Sequence, residues 1–191
     1  MAERRSPAAA YAGRFEAASR GGALRLAELP FLTQIDVRVD PSSPAAGDIG
    51  DALGVPLPVE PGTAVRAGSG ADEVTVAWLG PDEWLVVAPE GHRVELLRKG
   101  LGDRHGSIVD VSAQRTALLV TGPRARDLLA HGCALDLHPA VFGPGACAQT
   151  TLARAQVVLI PREDGFLLLV RSSFAAYLAE WLLDAAAEYV A

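Results

Sequence analysis

The chain has 191 residues, half of them hydrophobic and 21% charged, with 23 acidic against 17 basic residues and a formal charge of −6. That length supports one sizeable core or two small halves packed together, and the acid excess disfavours general binding to phosphate backbones. No run of 18 apolar residues exists, since the Leu-rich Gly165–Val170 is bounded by Arg162–Asp164 and Arg171, so no membrane span is expected; two cysteines, Cys133 and Cys147, make no disulfide framework.

Residues 1–30 mix Ala, Arg, Gly and Ser around isolated apolar positions such as Tyr11 and Phe15, and read as an arm that is flexible when alone. Met1–Ala10 carries Arg4 and Arg5 but no apolar stretch of a secretory signal, so a cytoplasmic location is expected. Phe31–Val39 alternates, with Ile35, Val37 and Val39 on one side and Asp36, Arg38 and Asp40 on the other, as in a half-buried strand. Pro44 opens a helix to Leu53, and Gly54 closes it. Strands follow near Thr63–Ala67, Glu73–Leu79 and Trp84–Ala88; Gly80-Pro81-Asp82-Glu83 joins the last two as a turn whose Pro presets φ. A helix then spans about Gly91–Leu101, with Val94, Leu97 and Leu101 facing inward.

The pattern starts again after this helix. Ser107–Val111 and Ala117–Val120 read as strands, and Thr121-Gly122-Pro123 opens a helix to about Ala130 with Pro at its first position. Strands near Cys147–Leu152, Gln156–Ile160 and Phe166–Val170 come next. The closing helix takes Ser172 or Ser173 as N-cap. Its apolar residues Phe174, Tyr177, Leu178, Trp181, Leu182, Ala185 and Tyr189 keep helical spacing opposite Glu180, Asp184 and Glu188. A shift of 82 residues lays Trp84-Leu85-Val86-Val87 on Phe166-Leu167-Leu168-Leu169, Leu96 on Leu178, Leu101 on Leu183 and Asp82 on Asp164, and a shift of 83 lays Pro61-Gly62 on Pro144-Gly145. The expected fold is α+β: a duplicated strand–helix–three strands–helix unit, with halves 31–104 and 105–191 forming one domain.

Few residues suggest chemistry. His131, Cys133 and His138 form H-x-C-x4-H, but the pattern lacks a second ligand pair; a helix end at His131-Gly132 followed by a loop with a small buried thiol is preferred, and no metal is expected. Gly68-Ser69-Gly70 lacks the Lys and Ser/Thr of a phosphate loop, Phe142-Gly143-Pro144-Gly145 reads as a turn, and no G-x-S-x-G nucleophile elbow occurs. The polar trio of most interest is Asp110-Val111-Ser112, at the end of an apolar strand. Asp110 there either binds a ligand or accepts hydrogen bonds from the following residues, the commoner use of Asp-x-Ser, with Arg115 available to balance its charge. Trp78 and Trp84 flank one turn and read as core residues.

Leu79-Gly80-Pro81-Asp82-Glu83-Trp84-Leu85 closely resembles a motif of the gamma subunits of heterotetrameric sarcosine oxidases. The stretch from Ile108-Val109-Asp110-Val111-Ser112 through Val120-Thr121-Gly122-Pro123 to the last helix is similar to the same family and, more distantly, to the folate-binding domain of glycine-cleavage aminomethyltransferases. The resemblance covers roughly residues 24–190 and implies the fold of that folate-binding domain. It also implies a cytoplasmic, non-catalytic assembly subunit with alpha, beta and delta partners. The complex of that family demethylates sarcosine oxidatively to glycine and hydrogen peroxide and passes the one-carbon unit to tetrahydrofolate, with FAD, FMN, NAD and folate on other subunits.

An acidic segment of the transferases corresponds to Leu152-Ala153-Arg154-Ala155-Gln156-Val157-Val158, which holds no carboxylate for proton transfer. No catalytic residue and no cofactor on this chain are therefore expected. If a folate-like pocket survives, Asp110, Ser112 and Arg115 are its candidate residues. A stand-alone folate-binding or aminomethyltransferase-like protein is the alternative reading, and a regulatory module with a degenerate pocket is a third.

Overall fold

Apolar runs separated by Gly- and Pro-bearing turns give ten strands and five α-helices over residues 4–92 and 94–189, the part of the chain that the structure, a computed structural model, describes. Helix α1 (Ala12–Ala18) leads to strand β1 (Arg25–Leu29), β2 (Thr33–Val39), helix α2 (Pro44–Leu53) and strands β3 (Ala64–Ala67), β4 (Val74–Gly80) and β5 (Glu83–Ala88). Helix α3 (Val94–Leu101), strands β6 (Gly106–Asp110) and β7 (Arg115–Thr121) and helix α4 (Ala125–Ala130) follow. Strands β8 (Ala148–Leu152), β9 (Ala155–Arg162) and β10 (Gly165–Arg171) and helix α5 (Ala175–Ala186) complete the series. Mixed helix and sheet in this order is the expected α+β class. Among the described residues no helix is long and apolar enough to cross a membrane.

The chain divides into two compact units, one of residues 31–112 with 145–148, the other of the segment up to Pro30 with 113–144 and 149 onward. In the first, the sheet order is β3-β4-β5-β2-β6, with antiparallel pairs such as Val37↔Trp84 and Ile35↔Asp110. Ile35, Val37 and Val39 join Val74, Val76, Trp84 and Val86, and helices α2 and α3 add Ile49, Leu53, Leu97 and Leu101 to the same core. Helix α2 stops where expected because Gly54 takes a left-handed conformation (φ 75°), which carries no Cβ penalty in glycine. Thr75, Ala77, Leu85 and Val87 are buried as well, so β4 and β5 are covered on both faces and read in the sequence as continuous apolar runs.

The second unit repeats the arrangement as β8-β9-β10-β7-β1. Strand β7 lies 82 positions after β2, and β10 likewise corresponds to β5. A related backbone bond occurs in each half, with the donor displaced by one position: Val39 N–H donates to the Asp82 carbonyl at 3.1 Å, and Gly122 N–H donates to the Asp164 carbonyl at 2.9 Å. The edge strands are exchanged between halves. Strand β1, from before the first half, completes the second sheet through Arg25↔Thr121 to Leu29↔Ala117, while β6, expected in the second half, pairs with β2. The unit boundaries thus differ from the expected halves 31–104 and 105–191.

The segment expected as an arm is built into the second unit over its described residues. Phe15 of α1 is buried, Arg14 makes a two-pronged ion pair with Glu180 of α5 (Nη2–Oε2 2.8 Å), and Glu28 of β1 gathers three hydrogen bonds. They come from the Ser6 hydroxyl (2.6 Å), the Ala8 N–H (3.1 Å) and the Thr116 hydroxyl (2.6 Å).

Three helix details differ from expectation. Thr121 still belongs to β7, so α4 begins at Ala125, beyond Pro123. Ser172 does not cap α5; its hydroxyl and N–H donate to the Ala113 and Gln114 carbonyls at 2.9 Å, and a 3-10 turn precedes the helix. The buried stripe of α5 is Ala175, Leu178, Ala179, Leu182 and Ala186, which turns Phe174 and Tyr177 outward.

Candidate functional site

Asp110 ends β6, and the chain turns there so that its Oδ1 accepts hydrogen bonds from the Ser112 N–H (2.9 Å) and hydroxyl (2.5 Å). The hydroxyl oxygen in turn accepts the Gln34 N–H at 2.9 Å, and Val111 N–H donates to the Gln34 carbonyl at 2.8 Å. The Ser112 hydroxyl, then its amide, hold the Asp110 carboxyl below its ordinary value; slight burial opposes this and the Arg98 charge adds to it. This is an Asx-turn that locks β6 onto β2, and it commits Oδ1 to the amide and hydroxyl of Ser112. Arg115 belongs to the other unit, at the start of β7, and donates to the Gln114 side-chain oxygen at 2.6 Å. It sits directly opposite Arg171 of β10 and, with Gln149, Thr150, Thr151 and Gln156, lines a groove of about 270 Å³.

The Leu79–Leu85 segment is a β4–β5 hairpin whose acidic tip serves the neighbouring strand. Asp82 takes both carboxylate oxygens to Arg38 Nη2 at 2.9 Å, and Glu83 lies 3.3 Å from Nη1. Trp84 is fully buried and donates its indole N–H to the Pro58 carbonyl at 2.7 Å; Trp78 packs against the same core. Asp82, Glu83, Trp78 and Trp84 of this motif thus each have a packing or bonding partner within the same unit.

The residues of the H-x-C-x4-H pattern are used separately. His131 Nε2 lies 2.9 Å from the Tyr189 hydroxyl, His138 Nδ1 accepts the Ala140 N–H at 3.2 Å, and Cys133 bridges Leu152 through backbone. Cys147 lies in the other unit, its Sγ 3.1 Å from the Thr63 carbonyl and 3.3 Å from that of Trp78. Burial pushes its thiol up to about 11, well away from the thiolate form a nucleophile or metal ligand needs. Among the described residues no three His, Cys, Asp or Glu side chains come together as metal ligands.

The sequence reading missed Arg171, Gln149, Thr150, Thr151 and Gln156 as neighbours of Arg115. They come from strands β8, β9 and β10, and only the register of those strands brings them together.

Residues 38–188 match the model of the sarcosine oxidase, gamma subunit family. The chain is 40% identical over 188 residues to a sarcosine oxidase subunit gamma of Corynebacterium sp. (strain P-1), covering 97% of this chain and 91% of that one. A chain of the heterotetrameric sarcosine oxidase from Corynebacterium sp. U-96, solved with pyrrole 2-carboxylate, superposes with a TM-score of 0.89 at 38% identity, covering 98% of this chain and 97% of that chain. The glycine cleavage system aminomethyltransferase T of Bartonella henselae superposes with a TM-score of 0.65 at 18% identity, covering 88% of this chain and 48% of that one, a likeness of fold alone.

Proposed function

The chain belongs to the sarcosine oxidase gamma subunit family, and from that premise we propose that it is the non-catalytic assembly subunit of a heterotetrameric sarcosine oxidase. In this reading alpha, beta and delta subunits are its partners in the cytoplasm. Alpha and beta carry the oxidative demethylation of sarcosine to glycine, with hydrogen peroxide and methylenetetrahydrofolate formed there. FAD, FMN, NAD and folate sit on those other subunits.

The observation that carries the proposal is correspondence along the whole chain: likeness to the Corynebacterium complex extends over 98% of it and over 97% of the solved chain. The local chemistry supports the same reading. Asp110 and Ser112 lock a turn, Asp82 and Glu83 hold Arg38, and Cys147 is a buried neutral thiol. The family's motif residues therefore explain themselves as architecture.

Co-expression with alpha, beta and delta subunits, with and without this chain, tests the proposal. The expected result is a yellow complex containing the chain, whose yield falls in its absence while sarcosine-dependent peroxide formation per flavin is kept. Elution of the chain apart from a complex that forms equally well without it would overturn the assembly role.

A further inference from the structure

Phe31 has φ 60° and, with Ala153, is one of two non-glycine residues in the left-handed region among the described residues. A bulky side chain there is an outlier, because its Cβ crowds the backbone. Pro30 before it gives the order of a type II turn, whose third residue is ordinarily Gly or Asn. The strained residue stands in a three-residue link, Pro30-Phe31-Leu32, between β1 and β2, and the boundary between the two units falls within it. The segment ahead of this link holds itself together. Ser6 and Ala8 donate to Glu28, the Ser19 hydroxyl donates to the Phe15 carbonyl at 2.7 Å, and its oxygen accepts the Leu26 N–H at 3.0 Å. Its attachments to the rest of its unit lie at a sheet edge: β1 pairs with β7 alone, the Thr116 hydroxyl reaches Glu28, and Arg14 meets Glu180. The segment can therefore leave without opening any other ladder of its sheet.

We propose that the free chain dimerises with a second copy by exchanging the segment up to Pro30, with Phe31 as the hinge. Each segment then pairs with β7 of the other copy and sets its Arg14 against that copy's Glu180, so the contacts of the single chain are kept in number and kind. Only the link changes. With Phe31 in the extended region, residues 29–32 continue as one extended stretch, and Leu29, which precedes a proline, already prefers that conformation. Both copies lose the strained residue. A short link under strain is the arrangement that favours exchange of an identical element, and relief at one such residue shifts an equilibrium by roughly tenfold. This dimer lies outside the assembly role, since it forms from free chain and needs no partner subunit.

Refolding the full chain from urea at low and at high concentration, followed by size-exclusion with light scattering, tests the exchange. The expected result is a dimer whose share grows with the chain concentration during refolding. Phe31→Gly accepts the left-handed conformation without penalty and loses more entropy on extension, so it lowers the association constant about tenfold or more. Circular dichroism verifies that each variant is folded. Arg14→Glu and Glu180→Arg each set like charges together, in the single chain and in its own dimer. In a mixed exchanged dimer the Arg14→Glu segment meets the Glu180→Arg helix while native Arg14 meets native Glu180, so both contacts attract. Native mass spectrometry of the two variants refolded together separates mixed from unmixed dimers, and the mixed form should exceed random pairing by roughly twofold or more. A chain that stays monomeric at every concentration overturns the proposal. So does a dimer that Phe31→Gly leaves undiminished, or one whose mixed form shows no excess.

Discussion

Thr63 faces Ala146 across an isolated antiparallel bridge, and under the offset that aligns Pro61-Gly62 with Pro144-Gly145 the two are the same position of the duplicated half. The Gly62 carbonyl accepts the Cys147 N–H at 2.7 Å on one side, and Ala64 N–H donates to the Gly145 carbonyl at 2.8 Å on the other. A Pro-Gly segment thus pairs with its own copy. Backbone bonding of this kind demands little of side-chain identity, which explains why the two copies diverge around a kept Pro-Gly.

Cys147 lies beside that bridge, its Sγ 3.1 Å from the Thr63 carbonyl, and its thiol should be inert. Its folded value of about 11 lies above an ordinary value of 9, so the neutral form is favoured in the fold. The contribution to stability is complete below pH 9 and is lost as pH rises toward 11. At pH 8 a chromogenic disulfide reagent should titrate Cys133, which is half-buried, well before Cys147, and unfolding should release both. Equal rates in the native chain would contradict the burial argument.

Asp110 gives the opposite sign. Its folded value lies below the ordinary 3.8, so its contribution is present above that pH and fades as pH falls through the depressed value. Asp110→Ala should cost about 0.5–1 kcal/mol, at the low end for a hydrogen bond because the group is exposed. Asp110→Asn should cost less, since asparagine also forms Asx-turns. Urea midpoints at pH 7 and pH 3 check both points: the gap between wild type and Asp110→Ala should narrow in acid.

Glu28 ties the N-terminal segment to β7 through Ser6, Ala8 and Thr116. Glu28→Ala leaves those donors unmatched and should cost roughly 1–3 kcal/mol. Limited proteolysis should show faster cleavage before residue 25, with the 31–112 unit as resistant as in wild type. Uniform loss of protection would mean that Glu28 supports the whole fold rather than one segment.

Gly132 packs under Trp181, where a Cβ would stand 2.6 Å from Cζ2 and 3.0 Å from the Ala153 nitrogen. Gly132→Ala should lower stability by about 1–3 kcal/mol through overpacking. Adding Trp181→Leu should restore part of the loss, and a double-mutant cycle in urea measures the coupling. Additive losses would show that the contact is not the cause.

Strand positions were legible because β2, β4, β5, β9 and β10 combine apolar runs with marked turns. The end of α2 was legible because Gly54 announces it. Strand β1 was not, since Arg-Leu-Ala-Glu-Leu is rich in helix formers and carries no β-branched residue; pairing with β7 overrides its local preference. Helix α5 showed its period but not its phase, because apolar residues occur almost all round it and packing alone selects the stripe at Ala175, Leu178 and Leu182. Asp110-Val111-Ser112 could be read as an Asx-turn from three residues. The pairing of Arg115 with Arg171 required knowing a register set by contacts more than 50 residues apart.

The exchanged edge strands impose an order of events on synthesis. Strand β1 leaves the ribosome before any strand of the first sheet, yet its partner β7 is made only after that whole sheet, β6 included, has emerged. The first sheet closes while β1 is still waiting, with its backbone groups exposed to any other strand that offers an edge. A chain severed after residue 104 would strand each edge on the wrong fragment. Such fragments would regain two complete sheets only by recombining, which makes this protein a natural candidate for split-chain complementation.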